Sequence, residues 1–303
     1  MRCKLSYAIH QVQKLRQGLI HEFTLTTTEH HTFSETDQIL LDLATSHTVK
    51  KLTLDFFNSK SNGLPLSVFS LHHLMDLYLA YCDIDHKLVF NVFGSLTSLS
   101  LNRVTISMET LLHILSNCPS LKSCSCLPMA IHEEAFLGYE RPNIVELFKC
   151  LPVIEQFTTW DYFFKAFVLE PVRQVLPTSL IHLKYFCFED MGFVDGDHLA
   201  FLAVLVKCSP NLEKIKLEID TYDGYDVESV KLEERSFKLE DYSDIWLENL
   251  NELEIEIFRN FKPKMEFVKF ILVRSPNLKK LIFLSCMDSK NEELEILVLK
   301  TAL

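Results

Sequence analysis

Three cysteines lie close together in the segment SNCPSLKSCSC (116–126), and cysteine thiolates are common ligands of structural zinc. Such sites are usually built from CxxC pairs, and Cys118, Cys124 and Cys126 do not have that spacing. On a β-strand, Cys124 and Cys126 would point to the same side, where buried cysteines pack as small apolar residues. The spacing therefore favours core packing over a metal site.

Two histidine pairs and a row of glutamates are the other groups that could bind a metal ion. The pairs His30–His31 and His72–His73 are sequence neighbours, which diverge on a strand. Glu252, Glu254 and Glu256 share one strand face, but neighbouring carboxylates are about 7 Å apart and do not converge on one ion. The chain also lacks a nucleophile elbow, an HExxH motif and a glycine-rich phosphate loop. We predict no metal site, no cofactor and no enzymatic activity.

The composition limits the partners and the compartment. Hydrophobic residues make up 48% of the 303 residues, and no apolar run reaches the length of about 18 that a membrane span needs. Nine cysteines and the absence of an Asn-x-Ser/Thr sequon favour a reducing compartment. The net charge of −11 disfavours nucleic acid as a partner. We predict a cytoplasmic or nuclear protein, or both, without a membrane or nucleic-acid partner.

Most of the negative charge lies in one stretch. Residues 213–256 contain 15 acidic and 5 basic side chains, a net charge of −10. One interpretation is a solvated loop with charged strand faces. The alternative is an acidic patch that steers a basic partner.

A repeated pattern shows which elements must position these residues. SPNLEKIKL (209–217) and SPNLKKLIF (275–283) share the frame L-x-x-L-x-L, and looser copies recur along the chain at intervals of 22–38 residues. The ten copies are Ile20, Phe23, Leu25; Val49, Leu52, Leu54; Leu74, Leu77, Leu79; Leu96, Leu99, Leu101; Leu121, Cys124, Cys126; Ile154, Phe157, Thr159; Leu183, Phe186, Phe188; Leu212, Ile215, Leu217; Leu250, Leu253, Ile255; and Leu278, Leu281, Phe283. This frame and this period are typical of leucine-rich repeats.

The pattern predicts an α/β leucine-rich-repeat solenoid, a right-handed horseshoe. Each x-L-x-L-x segment forms a short strand of a parallel sheet on the concave side, with helices and irregular segments on the convex side. In four repeats an apolar 3–4 pattern precedes a proline, which ends a helix. These helices are predicted at about 108–117, 143–150, 197–207 and 264–273. We expect extended or 3₁₀ segments in the linkers at 63–82 and 176–188.

The third, fifth and seventh positions of each frame point away from the core, so the concave face should carry the binding residues. Large aromatic residues are enriched at binding hot spots, and Tyr78, Trp160 and Tyr185 occupy such positions. Glu252, Glu254 and Glu256 occupy them on another strand. We predict these six residues as the protein-binding surface, with the aromatic residues as the anchors.

The segment LENLNELEIEIFRNFKPKMEFVKFILVRSPNLKKLIF (247–283) resembles the FBD segment that closes plant F-box/FBD/LRR-repeat proteins. GLIHEFTL (18–25), VKKLTLDF (49–56) and LPLSVFSLHHLMDLYLAYC (64–82) are similar to the first repeats of that family, in the same order. The resemblance implies a repeat solenoid at 1–246, an FBD-like repeat segment at 247–290 that continues the sheet, and a C-terminal tail at 291–303.

The resemblance also implies a function. Family members usually begin with an F-box, which docks on a Skp-type adaptor of a cullin ubiquitin ligase, and no segment of these 303 residues resembles one. We therefore expect a module that is similar to the substrate-recognition part of such a receptor and binds a target protein not yet identified. A Skp-type adaptor is expected as a partner only of a longer form that carries an F-box. The alternative is a stand-alone intracellular scaffold, sensing or decoy protein with no link to a ligase.

Overall fold

The computed structural model describes residues 18–26, 33–57, 63–84, 93–127, 130–131, 142–160, 180–191, 197–219, 246–256, 262–285 and 295–299, together with residues 9, 11, 163 and 167. The chain divides into two compact units, Met1–Arg141 and Pro142–Leu303. Each unit is built around its own set of repeat strands. The sequence-predicted boundary at 246/247 stays a prediction.

The first unit contains five parallel repeat strands and a small second sheet. The repeat strands are β1 (Glu22–Thr26), β2 (Lys51–Asp55), β3 (Asp76–Ala80), β5 (Ser98–Asn102) and β7 (Ser123–Cys126), hydrogen-bonded in that order. The small sheet consists of β4 (Asp83–Ile84), β6 (Thr105–Ile106) and β8 (Ala130–Ile131), also parallel. The return segments include helix α1 (Phe33–Ser46), a 3₁₀ helix (Leu66–Ser70) and helix α2 (Met108–Ser116).

The second unit has the same design of parallel strands and return helices. Its parallel strands are β9 (Gln156–Trp160), β10 (Tyr185–Met191), β11 (Lys214–Ile219), β12 (Glu252–Glu256) and β13 (Lys280–Ser285). Strand β14 (Glu295–Leu299) pairs with β13 in the antiparallel direction, in a segment that the sequence assigned only to a tail. The helices are α3 (Ile144–Lys149), α4 (Asp197–Cys208) and α5 (Lys262–Arg274).

The leucine-rich-repeat prediction is confirmed, because each of the ten frames forms a strand that begins two residues after its first apolar position. Within each unit the strands pair in register, so equivalent frame positions lie side by side, as Leu52, Leu77 and Leu99 do. The four helices predicted before a proline are present within a few residues of the predicted bounds. The linker at 63–82 contains the expected 3₁₀ helix. Of the linker at 176–188, residues 176–179 lie outside the described residues, and residues 180–184 lead into the next strand without a helix.

Buried and more exposed side chains alternate along the strands, so each sheet has one packed face and one accessible face. On β2, Leu52 and Leu54 are fully buried, while Lys51 is exposed and Thr53 is half-buried. We call the accessible side of each unit's sheet its open face; it carries the third, fifth and seventh frame positions. The packed side of the second unit is rich in phenylalanine, and the ring of Phe186 lies 6.0–6.3 Å from those of Phe157, Phe188 and Phe201.

The Ser-Pro-Asn-Leu motif has a physical role at each of its four residues. The buried hydroxyls of Ser209 and Ser275 each donate a hydrogen bond of 2.7 Å to a carbonyl of the preceding helix, which would otherwise lack a partner at the helix end. Proline then stops the helix. The leucine follows, buried at Leu212 and half-buried at Leu278, and its backbone N–H closes the turn by donating to the serine carbonyl at 3.2 Å.

The asparagine of the motif joins one repeat to the previous one. The side-chain amide of Asn211 donates to the Ile181 carbonyl at 2.8 Å, and that of Asn277 donates to the Glu248 carbonyl at 2.7 Å. Asn249 supplies the intervening link, to the Pro210 carbonyl at 3.1 Å. These side-chain amides donate to carbonyls at the turns of neighbouring repeats, which aligns the starts of the strands that follow and keeps them in register.

Candidate functional site

The open face of the first unit carries Tyr78 among short polar side chains. Tyr78 lies on β3 between Thr53 of β2 and Ser100 of β5. Its hydroxyl accepts a hydrogen bond of 3.1 Å from the Asn102 side-chain amide, and the residue is half-buried. This bond fixes the ring on the face, and its other contacts are with small neighbours. Tyr78 is therefore placed where the sequence predicted it.

Trp160 and Tyr185 also lie on the open face, but not next to each other. Trp160 ends β9 and pairs with Glu189, while Tyr185 begins β10 and pairs with Gln156. The two aromatic residues are thus separated by two outward positions, about 13 Å along the strand direction. Both are half-buried. The second unit carries two separate aromatic positions rather than one continuous aromatic patch.

The surroundings of Tyr185 hold its ring in place. The Lys214 ammonium lies 5.8 Å from the ring centroid, within the range of a cation–π contact. Burial, together with the neighbouring Cys187 and the carboxylates of Glu254 and Glu189, raises the pKa of the Tyr185 phenol well above its usual range. The phenol is therefore neutral at physiological pH, and its hydroxyl can donate a hydrogen bond.

The row of glutamates on β12 is paired with lysines on both neighbouring strands. In-register pairing places Lys214 and Lys280 on either side of Glu252. The ion pairs are Lys214–Glu252 at 2.7 Å, Lys280–Glu252 at 3.2 Å, Lys214–Glu254 at 2.8 Å, Lys216–Glu254 at 3.9 Å and Lys216–Glu256 at 2.7 Å. We call these six residues the charge ladder. It neutralises the carboxylates locally, which weakens the interpretation of β12 as an acidic patch for a basic partner.

The charge ladder changes the protonation equilibria of Glu252, Lys214 and Lys216. Partial burial opposes the charged form of Glu252, but hydrogen bonds with Lys214 and Lys280 outweigh it and lower the pKa of this carboxyl. Partial burial likewise opposes the charged forms of Lys214 and Lys216, but the carboxylates of β12 outweigh it and raise the pKa of both ammonium groups. All of these groups are therefore ionised across the physiological pH range.

This pattern predicts how stability depends on pH. A lowered pKa in the folded state means that Glu252 stabilises the fold above its unfolded pKa of about 4.3, and that this contribution disappears as the pH falls through the folded pKa. The raised lysine pKa values have the opposite sign: their contribution is present below about pH 10.4 and is lost as the pH rises through the folded pKa values. Because the ladder is partly exposed, we expect less than about 1 kcal/mol from each pair.

Urea unfolding between pH 3 and pH 11 measures this effect. The difference in unfolding midpoint between the wild type and Glu252→Gln should be largest between pH 5 and pH 9 and should shrink at the acidic end. A constant difference down to pH 3 would mean that the Glu252 charge contributes nothing to folding.

The cysteine-rich segment forms part of the packed core, as predicted. Cys124 and Cys126 are 1% and 0% exposed, with their sulfur atoms 3.8 Å apart. Burial, with a smaller effect of Cys124, raises the pKa of the Cys118 thiol to about 12. The thiolate form that binds metals is therefore disfavoured at Cys118. In the described part of the chain, no three His, Cys, Asp or Glu residues are grouped so that they could hold a metal ion.

Two features of the site were not predicted from the sequence. One is the charge ladder, which requires the pairing of strands that are 38 residues apart. The other is a stack of Phe57, Tyr81 and Arg103 at the carboxyl ends of β2, β3 and β5. Its sequence signal is the shared frame position of Tyr81 and Arg103, seven residues after Leu74 and Leu96. None of the helices in the described ranges has the length and apolar character required to cross a membrane.

Comparison with known proteins supports the repeat assignment. A family model described as the LRR repeats of the FBD-associated F-box protein At5g56370 matches residues 37–158. The F-box/FBD/LRR-repeat protein At1g13570 of Arabidopsis thaliana is 26% identical over 327 aligned residues, which cover 94% of this chain and 77% of that protein.

A solved structure with leucine-rich repeats is also similar. The leucine-rich repeat-containing protein LegL7 from Legionella pneumophila matches 95% of this chain and 88% of its own, with 10% identity and a TM-score of 0.44. At that TM-score the likeness carries no weight, and the fold rests on the parallel strands themselves.

The chain is thus a protein-interaction module of leucine-rich repeats, a class of module that is typically non-enzymatic. The repeats and the two sequence similarities, taken together, make the chain similar to plant F-box/FBD/LRR-repeat proteins over most of its length.

Proposed function

We propose that the chain is the target-binding part of an F-box-type ubiquitin-ligase receptor and that the open faces of its sheets hold the target protein. The observation that carries the proposal is the similarity to an F-box/FBD/LRR-repeat protein over 94% of the chain. An open face with regular outward side chains in each unit supports it.

The open face suits a protein ligand because it is rigid before binding. The inner strands are hydrogen-bonded on both sides, and the amide links at the turns hold the register. A preorganised surface loses little conformational entropy when a partner docks. On β5 and β7 four of the outward residues are serines, Ser98, Ser100, Ser123 and Ser125, which allow close approach of a partner.

The proposed anchors are three aromatic residues, Tyr78 on the open face of the first unit and Trp160 and Tyr185 on that of the second. All three are half-buried, and Tyr78 and Tyr185 are held by Asn102 and Lys214, so these two rings lose little additional freedom on binding. Glu252, Glu254 and Glu256 remain part of the proposed surface, but each already pairs with a lysine. A partner must replace or extend those pairs, so the glutamates contribute orientation rather than most of the affinity.

Adaptor binding tests the ligase link. Residues 1–303, fused behind an F-box from a related plant protein, should bind a Skp-type adaptor in a purified pull-down. The same residues without the added F-box should not. The fusion should then promote ubiquitination of the protein that the open face binds.

Two results separate the alternatives. Robust adaptor binding by residues 1–303 alone would place a docking element within the repeats and contradict the proposed division of roles. If the fusion binds the adaptor but never directs ubiquitination of the partner of residues 1–303, the stand-alone scaffold, sensing or decoy function is supported instead.

A further inference from the structure

Phe57, Tyr81 and Arg103 form a stack at one edge of the first unit, which we call the edge stack. The register places Asp55, Ala80 and Asn102, the last residues of three neighbouring strands, side by side, and the stack follows directly after them. The rings of Phe57 and Tyr81 are 5.2 Å apart and nearly perpendicular, at 89°. The Arg103 guanidinium lies over the ring of Tyr81, 5.5 Å from its centroid.

The backbone of the edge stack adopts a conformation that favours glycine. Tyr81 and Arg103 have φ angles of 54° and 50°, and among the described residues they are the only non-glycine residues with positive φ. Glycine or asparagine would adopt this left-handed conformation at lower steric cost. Strain of this kind is commonly found where particular side chains are required for function. The two turns thus place a tyrosine and an arginine where a purely structural turn would favour glycine.

Hydrogen bonds keep the edge stack rigid. The Tyr81 N–H donates to the Asn102 carbonyl at 3.0 Å, which extends the sheet by one residue. The Phe57 N–H donates to the Asp55 carboxylate at 3.1 Å, so this carboxylate is engaged in closing its own turn. The backbone at Phe57 and at Tyr81 is therefore fixed before any ligand arrives.

The edge stack also leaves its binding groups accessible. Phe57 is 42% exposed and Arg103 is exposed. Within the described ranges, the contact with Tyr81 is the interaction found for the Arg103 side chain, and no carboxylate lies within ion-pair distance. A guanidinium stacked on a ring keeps its N–H edge free for the two oxygens of a carboxylate. An apolar ring and a fixed cation thus stand on either side of Tyr81.

We propose that the edge stack binds an extended, acidic segment of the partner protein. An aspartate or glutamate of that segment pairs with Arg103, and a neighbouring apolar side chain packs on Phe57. Asp55 and Asp83 lie near the same strand ends, which favours a singly charged carboxylate over a doubly charged phosphate. The inference rests on the proposed protein-binding function only for the premise that the ligand is a polypeptide.

Fluorescence anisotropy with designed peptides tests this inference without an identified partner. The probe is a fluorescein-labelled decapeptide of alternating leucine and glutamate, and its controls carry glutamine or phosphoserine in place of glutamate. Residues 1–303 should bind the glutamate peptide about tenfold more tightly than the glutamine peptide, the equivalent of one well-formed charged contact. Arg103→Asn should abolish this preference, and Phe57→Ala should weaken binding of both peptides.

Matched variants separate the edge stack from general electrostatics. Lys51→Asn removes an exposed charge of the same sign from β2 and should retain the preference for glutamate. Arg103→Asn should fold with an unchanged or higher Tm, because asparagine tolerates the left-handed backbone. Arg103→Gly serves as a second variant for the same measurement.

Three outcomes would overturn the inference. They are an undiminished preference in both Arg103 variants, an equal loss in Lys51→Asn, and tighter binding of the phosphoserine peptide than of the glutamate peptide. None of them affects adaptor binding by the F-box fusion, so failure of this inference is distinguishable from failure of the proposed function.

Discussion

Replacing Phe186 with alanine is expected to lower the free energy of unfolding of the second unit by about 3–5 kcal/mol. Phe186 is fully buried on β10, and the rings of Phe157, Phe188 and Phe201 surround it at 6.0–6.3 Å. Alanine would leave a cavity in the middle of this cluster. The paired strands on both sides cannot close it without breaking their register, so the loss should lie at the upper end for a single core residue.

The adjacent residue provides a matched control. Tyr185 precedes Phe186 on the same strand but lies on the open face. Tyr185→Ala removes a cation–π contact with Lys214, and we expect a loss of about 1 kcal/mol or less. Urea unfolding of both variants makes the comparison. Equal losses would contradict the division of β10 into a packed face and an open face.

For binding of the target protein, in contrast to stability, substitutions on the open face should have the larger effect. Tyr185→Ala is expected to weaken binding of the target protein by about 2 kcal/mol, roughly 30-fold, because a large, preorganised ring is a typical hot spot. Trp160→Ala should have an effect of similar size at the other end of β9, or a smaller one if the target contacts only one end. Both variants should remain folded, since each ring is only half-buried.

The glutamates provide the comparison for this prediction. Changing Glu252, Glu254 and Glu256 together to glutamine should mainly slow association and reduce its dependence on salt. Little affinity should be lost, because each of the three carboxylates already pairs with a lysine of the charge ladder. The measurement is a pull-down followed by binding kinetics at two salt concentrations. If the triple variant loses the partner while Tyr185→Ala and Trp160→Ala retain it, β12 is the binding site and the aromatic anchors are wrong.

The strands could be predicted from the sequence because the same physical constraint recurs in every repeat. Leucines at fixed spacing, such as Leu74, Leu77 and Leu79, must reach one core, and neighbouring strands of a stack share that core. Helices that end before a proline were also predictable, as at Pro210 and Pro276. The frame assigned Trp160 to the open face although its repeat is a poor match, and the register with Glu189 agrees with that assignment.

Other elements gave no such signal. Helix α1 (Phe33–Ser46) precedes no proline, although Leu40 and Leu43 are fully buried. The strands of the small sheet have two residues each, too few for a periodic pattern. Strand β14 pairs in the antiparallel direction and therefore lies outside the repeat frame.

The charge ladder and the edge stack depend on contacts between repeats. Lys214 and Glu252 occupy the same frame position, but their pairing follows only once β11 and β12 are known to be adjacent and in register. Tyr81 and Arg103 adopt a backbone conformation that their residue types disfavour, so local propensity pointed elsewhere. Sequence reasoning identified the face and its candidate residues, while the structure supplied their partners.

Site-specific photo-crosslinking tests the central claim, binding of a target protein on the open face, most directly. A photo-reactive phenylalanine would replace Tyr185 on the open face in one variant and Val273 on helix α5, which is 69% exposed, in another. After irradiation in a plant extract, mass spectrometry identifies the captured proteins. We predict that the Tyr185 variant captures a discrete target that unlabelled residues 1–303 compete away, and that the Val273 variant does not capture it. Capture of the same target from Val273 and not from Tyr185 would contradict the account.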